Sequence, residues 1–332
     1  MASVSTTGDA GDTFGLACVI KSMPNGPHRL LLRDDGRTKG IVNRAHLITP
    51  LLNAQDYLTC EVWDSKESID WASEGFRDGF HSTTHSLVKS HENHGRSVGI
   101  IRNPVNVNEP WMTVTPSPAT KDRVVIARSP RYQNPHFPHK KIRDIYGKSL
   151  LFIGLKEEHD AYQRAYGRVE YLPCKDFLEV AEAIAGSFLA ISNQTAFWWV
   201  ASALGHKRIL EVSTSTCDSI IKTGDAQFVI DGEVTLPMLD GSEVLIPSPV
   251  LDVCFKVNTD IVPPLGGWYL EGFTPSSHFG SLRARVAAAR GISQEEAGRL
   301  IIISTANRSP DFFPVGERKD VRRLLEEALL ND

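Results

Sequence analysis

Three groups of side chains stand where chemistry is easiest to assemble: Arg128, Ser129 and Arg131; then Glu158; then Asn193, Gln194 and Thr195. Each closely follows a short apolar run, RVVIA, SLLFIGL or FLAIS, of the kind that forms a buried strand. Guanidinium groups and the exposed N–H groups of a helix start stabilise phosphate charge, and a carboxylate takes paired hydrogen bonds from a ribose diol. The set therefore suits a nucleoside diphosphate. An ordinary helix cap at Thr195 and solvent-facing arginines would explain the same spacing without any ligand. Neither a GxGxxG turn nor a GxxxxGK[ST] loop occurs, which excludes the common dinucleotide and NTPase fingerprints.

The elements that must position these residues alternate cleanly. Strand-like runs at 123–129, 149–155, 169–173, 188–193 and 207–213 are separated by helical patterns at 140–147, 157–166, 174–187 and 195–205. Continuous apolar strands between amphipathic helices imply a parallel sheet covered on both faces. In such sheets ligands bind beyond the carboxyl ends of the strands, so the residues just after each strand matter most, Pro173 among them. Upstream, 13–23 reads as a helix, and 28–34 and 58–64 as strands; a loop rich in Pro, Asn and Thr at 103–122 separates the two regions. Downstream, 226–250 carries the pairs Asp231-Gly232 and Asp240-Gly241 between alternating runs, which predicts β-hairpins. Trp268 and Tyr269 are expected at the packing centre of a small ribbon, with a binding platform as the alternative. Arg283, Arg285 and Arg290 fall on the helix that follows, solvated or facing phosphates, and the chain closes on an amphipathic helix bearing Leu324, Leu325, Ala328 and Leu329.

With 332 residues, at about 100–200 per domain, the chain holds two domains or two plus an appendage. Its 41% hydrophobic and 23% charged residues and net charge of −4 are those of an ordinary globular protein, with no bulk attraction to nucleic acid. The five cysteines are widely separated, so reduced and mostly buried thiols are expected. The first residues show no basic cluster followed by an apolar stretch, and no run is long enough to span a membrane, so the expected compartment is the cytoplasm. His91 and His94 have an i, i+3 spacing that suits a metal, but no third ligand is evident and no metal site is expected. No G-x-S-x-G elbow is present, and no feature points to an oligomer.

The run FIGLKEEHDAYQ through VEYLPCKDFLEVAEAIAGSFLAISNQTAFWWVASALGHKRILEVS resembles the donor-nucleotide domain of glycosyltransferase family 9, the ADP-heptose:lipopolysaccharide heptosyltransferases and their phage-borne relatives. The likeness is best over 123–213 and weaker upstream, where GDTFGLACVIKSM resembles the family's opening Gly-Asp turn and helix. It implies an α/β GT-B fold, two Rossmann-like doubly wound domains facing a cleft. Residues 1–115 would form the acceptor-side domain, 116–225 the nucleotide-sugar domain and 226–332 a β-rich C-terminal extension. It also implies metal-independent inversion with a nucleotide-diphosphate sugar as co-substrate and no other cofactor, with closure of the lobes to exclude water.

Carried over by position, the resemblance makes Asp12 the general base on the acceptor hydroxyl, with Asp9 in the nearly repeated GDAGD as the alternative. Glu158 would hold the ribose; Arg128, Ser129 and either Arg131 or Lys141 the phosphates; and Asn193, Gln194, Thr195 and Ala196 would form the turn that faces them. That turn reads Asp-Thr-Gly in the heptosyltransferases, with a histidine on the following helix. Here Gln194 and Ala196 flank the unchanged Thr195 and Trp199 takes the histidine position, so Trp199 and Asp9 are candidates for contact with a sugar that need not be a heptose. The acceptor would be a lipopolysaccharide sugar or other glycan or, for a phage-type enzyme, a hydroxymethylated base in DNA. A protein that kept the fold and binds a nucleotide sugar or nucleic acid without catalysis is the competing expectation.

Overall fold

The structure, a computed structural model, describes residues 1–34, 40–77, 86–135, 137–212, 219, 221, 223–229 and 234–246. The ribbon expected around Trp268 and Tyr269, the helix expected to bear Arg283, Arg285 and Arg290, the expected terminal helix and the Asp231-Gly232 pair lie outside the described residues.

The first lobe runs β1 (Ser3–Thr6), α1 (Ala10–Lys21), β2 (His28–Leu32), α2 (Ile41–Asn53), β3 (Leu58–Val62), β4 (Trp71–Ala72) and α3 (Leu87–Ser97). Its strands pair in parallel in the order β3-β2-β1-β4, so the chain turns back at β1 and places β4 on the far side of it. Ser86 caps α3 by accepting the Lys89 N–H at 3.1 Å. The second lobe runs β5 (Val124–Ala127), α4 (His139–Tyr146), β6 (Leu150–Ile153), α5 (Lys156–Tyr166), β7 (Glu170–Leu172), α6 (Phe177–Gly186), β8 (Leu189–Asn193), α7 (Ala196–Ala203), β9 (Arg208–Glu211) and β10 (Ala226–Val229). These six strands form a parallel sheet in the order β10-β9-β8-β5-β6-β7. Counted within the lobe that is the order 6-5-4-1-2-3 of a doubly wound sheet, with its switch point between β5 and β8.

Alternate residues of each strand point to opposite faces. Val125, Ala127, Leu151, Ile153 and Ala190 join the core beneath α6 and α7. Val124, Ile126, Leu150, Phe152 and Ile191 join the one beneath α4 and α5. Burial on both sides is why these strands read as unbroken apolar runs. The first of the two cores does not stop at the second lobe. It continues through Phe14, Leu16 and Ile20 of α1 and Ile48 and Leu52 of α2 to Val4, Leu30 and Leu58 of the first sheet. The layers are thus sheet, α1–α2, α6–α7, sheet, α4–α5. Two Rossmann-like α/β lobes face each other across a cleft, the GT-B arrangement.

Residues 226–229 depart from the expected hairpin. They form β10, whose apolar Ala226, Phe228 and Val229 are buried at the edge of the six-stranded sheet. Burial against β9 outweighs local turn chemistry here. The second hairpin is as expected: β11 (Val234–Pro237) and β12 (Glu243–Ile246) pair antiparallel around Asp240-Gly241, with Gly241 at φ 84°. Among the described residues no helix is long and apolar enough to cross a membrane.

Candidate active site

A cavity of about 470 Å³ opens where the two sheets present the carboxyl ends of their strands to each other. The first lobe contributes Asp9, Asp12, Leu47 and Leu87 to its wall; the second contributes Arg128, Ser129 and Arg131 after β5, Glu158 after β6, and Gln194, Thr195 and Ala196 after β8. Both switch points, β1/β4 and β5/β8, therefore open into one space. Phe177, Val180 and Phe197 make the remaining wall largely apolar.

Asp12 lies in the first turn of α1, where its Oδ2 accepts the Asp9 N–H at 3.1 Å and complements the positive end of the helix dipole. Asp9 is the N-cap of the same helix. Opposite, Glu158 takes the matching place on α5, its Oε2 accepting the Leu155 N–H at 3.1 Å. Burial pushes the Glu158 carboxyl above its usual range against the lowering effect of that N–H. Thr195 caps α7 with extended backbone, its buried hydroxyl has no hydrogen-bond partner among the described residues, and Thr195, Ala196 and Phe197 bring the start of the helix, with its unpaired N–H groups, to the cavity wall. Burial raises the Cys174 thiol to about 11, so this cavity residue is a neutral thiol near pH 7.

The loop after β5 is held from beneath by two buried side chains. Asn193, 0% exposed, accepts the Ser129 N–H at 3.1 Å and donates to the carbonyls of Ser129 and Arg131. Glu211, at the end of β9 and also 0% exposed, takes both Nε and Nη2 of Arg128 at 2.9 Å. It further accepts the Asn134 N–H at 2.6 Å and meets His139 Nε2 at 2.9 Å. Burial works against the Arg128 charge, but the Glu211 carboxylate outweighs it and holds the guanidinium protonated. Burial likewise opposes the Glu211 charge, and His139 and Arg128 together overcome it. His139 itself is pushed below its usual range by burial.

The structure thus sorts the residues expected from the sequence. Asp9, Asp12, Arg128, Ser129, Arg131, Glu158, Gln194, Thr195, Ala196 and Trp199 share the cavity. Asn193 is a clamp behind it, and Lys141 is exposed on α4 outside its wall. Arg128 faces the cavity with its charge already matched by Glu211, which leaves Arg131 as the other guanidinium among the described residues of the wall. Arg131 donates to the Tyr132 hydroxyl at 2.8 Å, and this contact, with the field of Asp9 and Asp12 across the cleft, holds it protonated. Tyr132 sits at φ 51°, a conformation a bulky residue rarely adopts. Trp199, 3% exposed, lies against α1, where a Cβ on Gly11 would stand 3.0 Å from its Cδ1. Its tryptophan neighbour turns away: Trp198 is buried and donates to the Ser219 carbonyl at 2.6 Å.

His91 and His94 are engaged in packing, the His91 ring centroid 3.9 Å from that of Phe76 with the planes tilted by 38°, and His94 accepting the Trp71 indole N–H at 3.2 Å. Three further residues belong to the site, Asp176 and Phe177 in its wall and Glu211 beneath it. Asp176 and Phe177 follow β7, so the strand-end rule that picked out Pro173 reaches them three or four residues further on. Glu211 left no local signal, because its partner Arg128 is 83 residues away.

No protein-family model matches this sequence, and no curated protein matches it. Among solved structures it is similar to E. coli heptosyltransferase WaaC with ADP, at 11% identity over 63% of this chain and 86% of that one, with a TM-score of 0.43. It is likewise similar to E. coli ADP-heptose lps heptosyltransferase II, at 12% identity, 70% and 91% coverage and a TM-score of 0.48. A third is the glycosyl transferase family 9 structure from Veillonella parvula DSM 2008, at 9% identity, 69% and 86% coverage and a TM-score of 0.44.

Proposed function

We propose that this chain is an inverting glycosyltransferase that moves a sugar from a nucleotide-diphosphate sugar, held by the second lobe, to an acceptor hydroxyl presented by the first. The observation that carries this reading is a cavity lined by Asp12 on one side and by Arg131, Glu158 and the start of α7 on the other. In the reaction, the acceptor oxygen attacks the anomeric carbon as its proton passes to Asp12, and the bond to the diphosphate oxygen breaks with its electron pair leaving on the diphosphate. Attack from the face opposite the leaving group inverts the anomeric centre. Charge developing on the diphosphate is met by Arg131, the Ser129 hydroxyl and the N–H groups at the start of α7, groups already oriented before the donor arrives. Glu158 accepts hydrogen bonds from the ribose diol. In this reading no metal is required, so activity is expected to survive chelation by EDTA.

A thermal-shift screen of ADP-, UDP-, GDP- and TDP-sugars tests the donor half. A donor at 100-fold excess over its Kd adds about 2.7 kcal/mol of stability, a shift of several degrees. The catalytic half is tested by donor hydrolysis: Asp12→Ala is expected to lower the rate by about 10²–10⁴ while nucleotide affinity stays the same. Equal hydrolysis by wild type and variant would remove Asp12 from the mechanism, and no shift with any donor would remove the function.

A further inference from the structure

Arg44 has no place in the cavity wall, yet its guanidinium donates to two successive carbonyls of the turn that leads to Asp9 and Asp12. It sits on α2, 7% exposed. Its Nη1 donates to the carbonyls of Thr7 at 2.8 Å and Gly8 at 2.9 Å, and its Nη2 to the carbonyl of Arg33 at 2.7 Å. These carbonyls lie just beyond the carboxyl ends of β1 and β2, so one guanidinium ties together the two strand ends that border the acceptor side of the cleft.

The contacts continue from that turn to the carboxylate. The Gly8 carbonyl is also met by the Thr13 hydroxyl at 3.4 Å, and the Gly8 N–H donates to the Thr6 hydroxyl at 3.1 Å. Gly8 is pressed so closely on the first turn of α1 that a Cβ there would fall 2.4 Å from the Asp12 Cβ. The next residue, Asp9, donates its N–H to the Asp12 carboxylate. A shift of the Thr7–Gly8 carbonyls is therefore passed to Asp12 through backbone, with no flexible side chain between to absorb it. Guanidinium suits the task because its planar fork reaches carbonyls in two directions, which an ammonium on a flexible stem does not.

We infer that Arg44 is a positioning residue for the base Asp12, a role that rests on the glycosyl-transfer reading of the site. The experiment compares Arg44→Met and Arg44→Lys with wild type in the full-length chain. Because the proposed donor contacts lie on the other lobe, Arg44→Met is expected to lower donor turnover by about 100-fold with the Kd for the matching free nucleotide diphosphate within about twofold of wild type. Arg44→Lys, which keeps one charged donor, is expected to recover part of the rate. Hydrogen exchange supplies a readout that needs no substrate: the Asp9 amide should exchange at least about tenfold faster in Arg44→Met while amides of β5 and β8 keep their protection. Unchanged turnover in Arg44→Met, or unchanged exchange at Asp9, would overturn the role. So would a parallel fall in nucleotide affinity and in β5 and β8 protection, which marks general loss of structure. If wild type turns over no donor at all, the functional reading fails, and Asp9 exchange alone still decides whether Arg44 holds the turn.

Discussion

Asp12 and Glu158 occupy the same position on two helices, the third residue of the first turn after a strand, and each accepts a backbone N–H three residues back at 3.1 Å. The sequence shows both as an acidic residue close behind a glycine, Gly8 and Gly154, and both glycines pass close to the carboxylate: a Cβ on Gly154 would stand 3.0 Å from Glu158 Oε2. The two carboxylates differ in their surroundings, and that difference has a consequence for pH. Burial raises Glu158, so its charged form disappears at a higher pH than an ordinary glutamate as the solution is acidified. If the carboxylate accepts from the ribose, nucleotide affinity falls on acidification from a point above the usual glutamate range, and calorimetric titration across pH reads it. Glu158→Gln should bind more weakly near neutrality and lose that acid limb. The sign for folding is opposite: a carboxyl raised in the folded state stabilises fully below its unfolded pKa, and this contribution is lost as pH rises through the folded value. A binding limb identical in wild type and Glu158→Gln would take Glu158 off the ribose. Arg128 shows what residue-by-residue reasoning could not reach: strand position placed it correctly at the cavity, but only the fold brings Glu211 beneath it.

At the scale of elements, the helices and strands between 123 and 213 match their sequence patterns to within a few residues, because strands buried on both faces and amphipathic helices leave strong periodicities. β4 left no such mark, since two residues carry no period, and β10 was hidden by the Asp-Gly pair that follows it. The packing of α1 on α7 was also illegible, although its parts were visible. Gly11 and Gly15, four apart on one face of α1, leave a shallow groove, and the Trp199 indole fills it: Cβ atoms on the two glycines would stand 3.0 and 3.6 Å from the ring. Trp199 therefore serves the cavity and the helix contact at once, joining the helix that bears Asp12 to the one whose start lines the opposite wall. Trp199→Ala is expected to cost about 3–5 kcal/mol in urea unfolding, the range for emptying a buried aromatic site. It should also lower turnover more than nucleotide affinity, since it loosens the spacing between α1 and α7. A loss under about 1 kcal/mol would show that the indole is not a packing element between them.

For the whole molecule, the question is whether the two lobes behave as two bodies. The resemblance implies lobes that close on the donor, and the cleft between the sheets fits that picture. The contacts beneath the cleft oppose it. Phe14 of α1 meets Phe177 of α6 edge to face at 5.0 Å. Trp111, from the connection between lobes, donates its indole N–H to the Phe14 carbonyl at 3.0 Å, and the N–H groups of Trp111 and Met112 reach the Ala203 carbonyl at 2.9 and 3.0 Å. One apolar core passes without a break from Val4 and Leu30 in the first sheet to Val125 and Ala190 in the second. Separating the lobes would expose Trp111, Trp199 and both phenylalanines, and at about 25 cal/mol per Å² of apolar surface that is an expensive motion for each turnover. The cleft is thus expected to be built by folding, and donor binding to adjust the Arg128–Asn134 loop more than the angle between lobes. Folding should then be one cooperative event for both sheets. Urea titration followed by far-UV circular dichroism, by tryptophan fluorescence and by amide exchange in β2 and β8 should give a single midpoint, and a bound nucleotide should move all of these together although its proposed contacts lie mainly on the second lobe. Two midpoints, or a nucleotide that protects β8 and leaves β2 unchanged, would show instead that the sheets fold around separate cores and that the lobes are free to close.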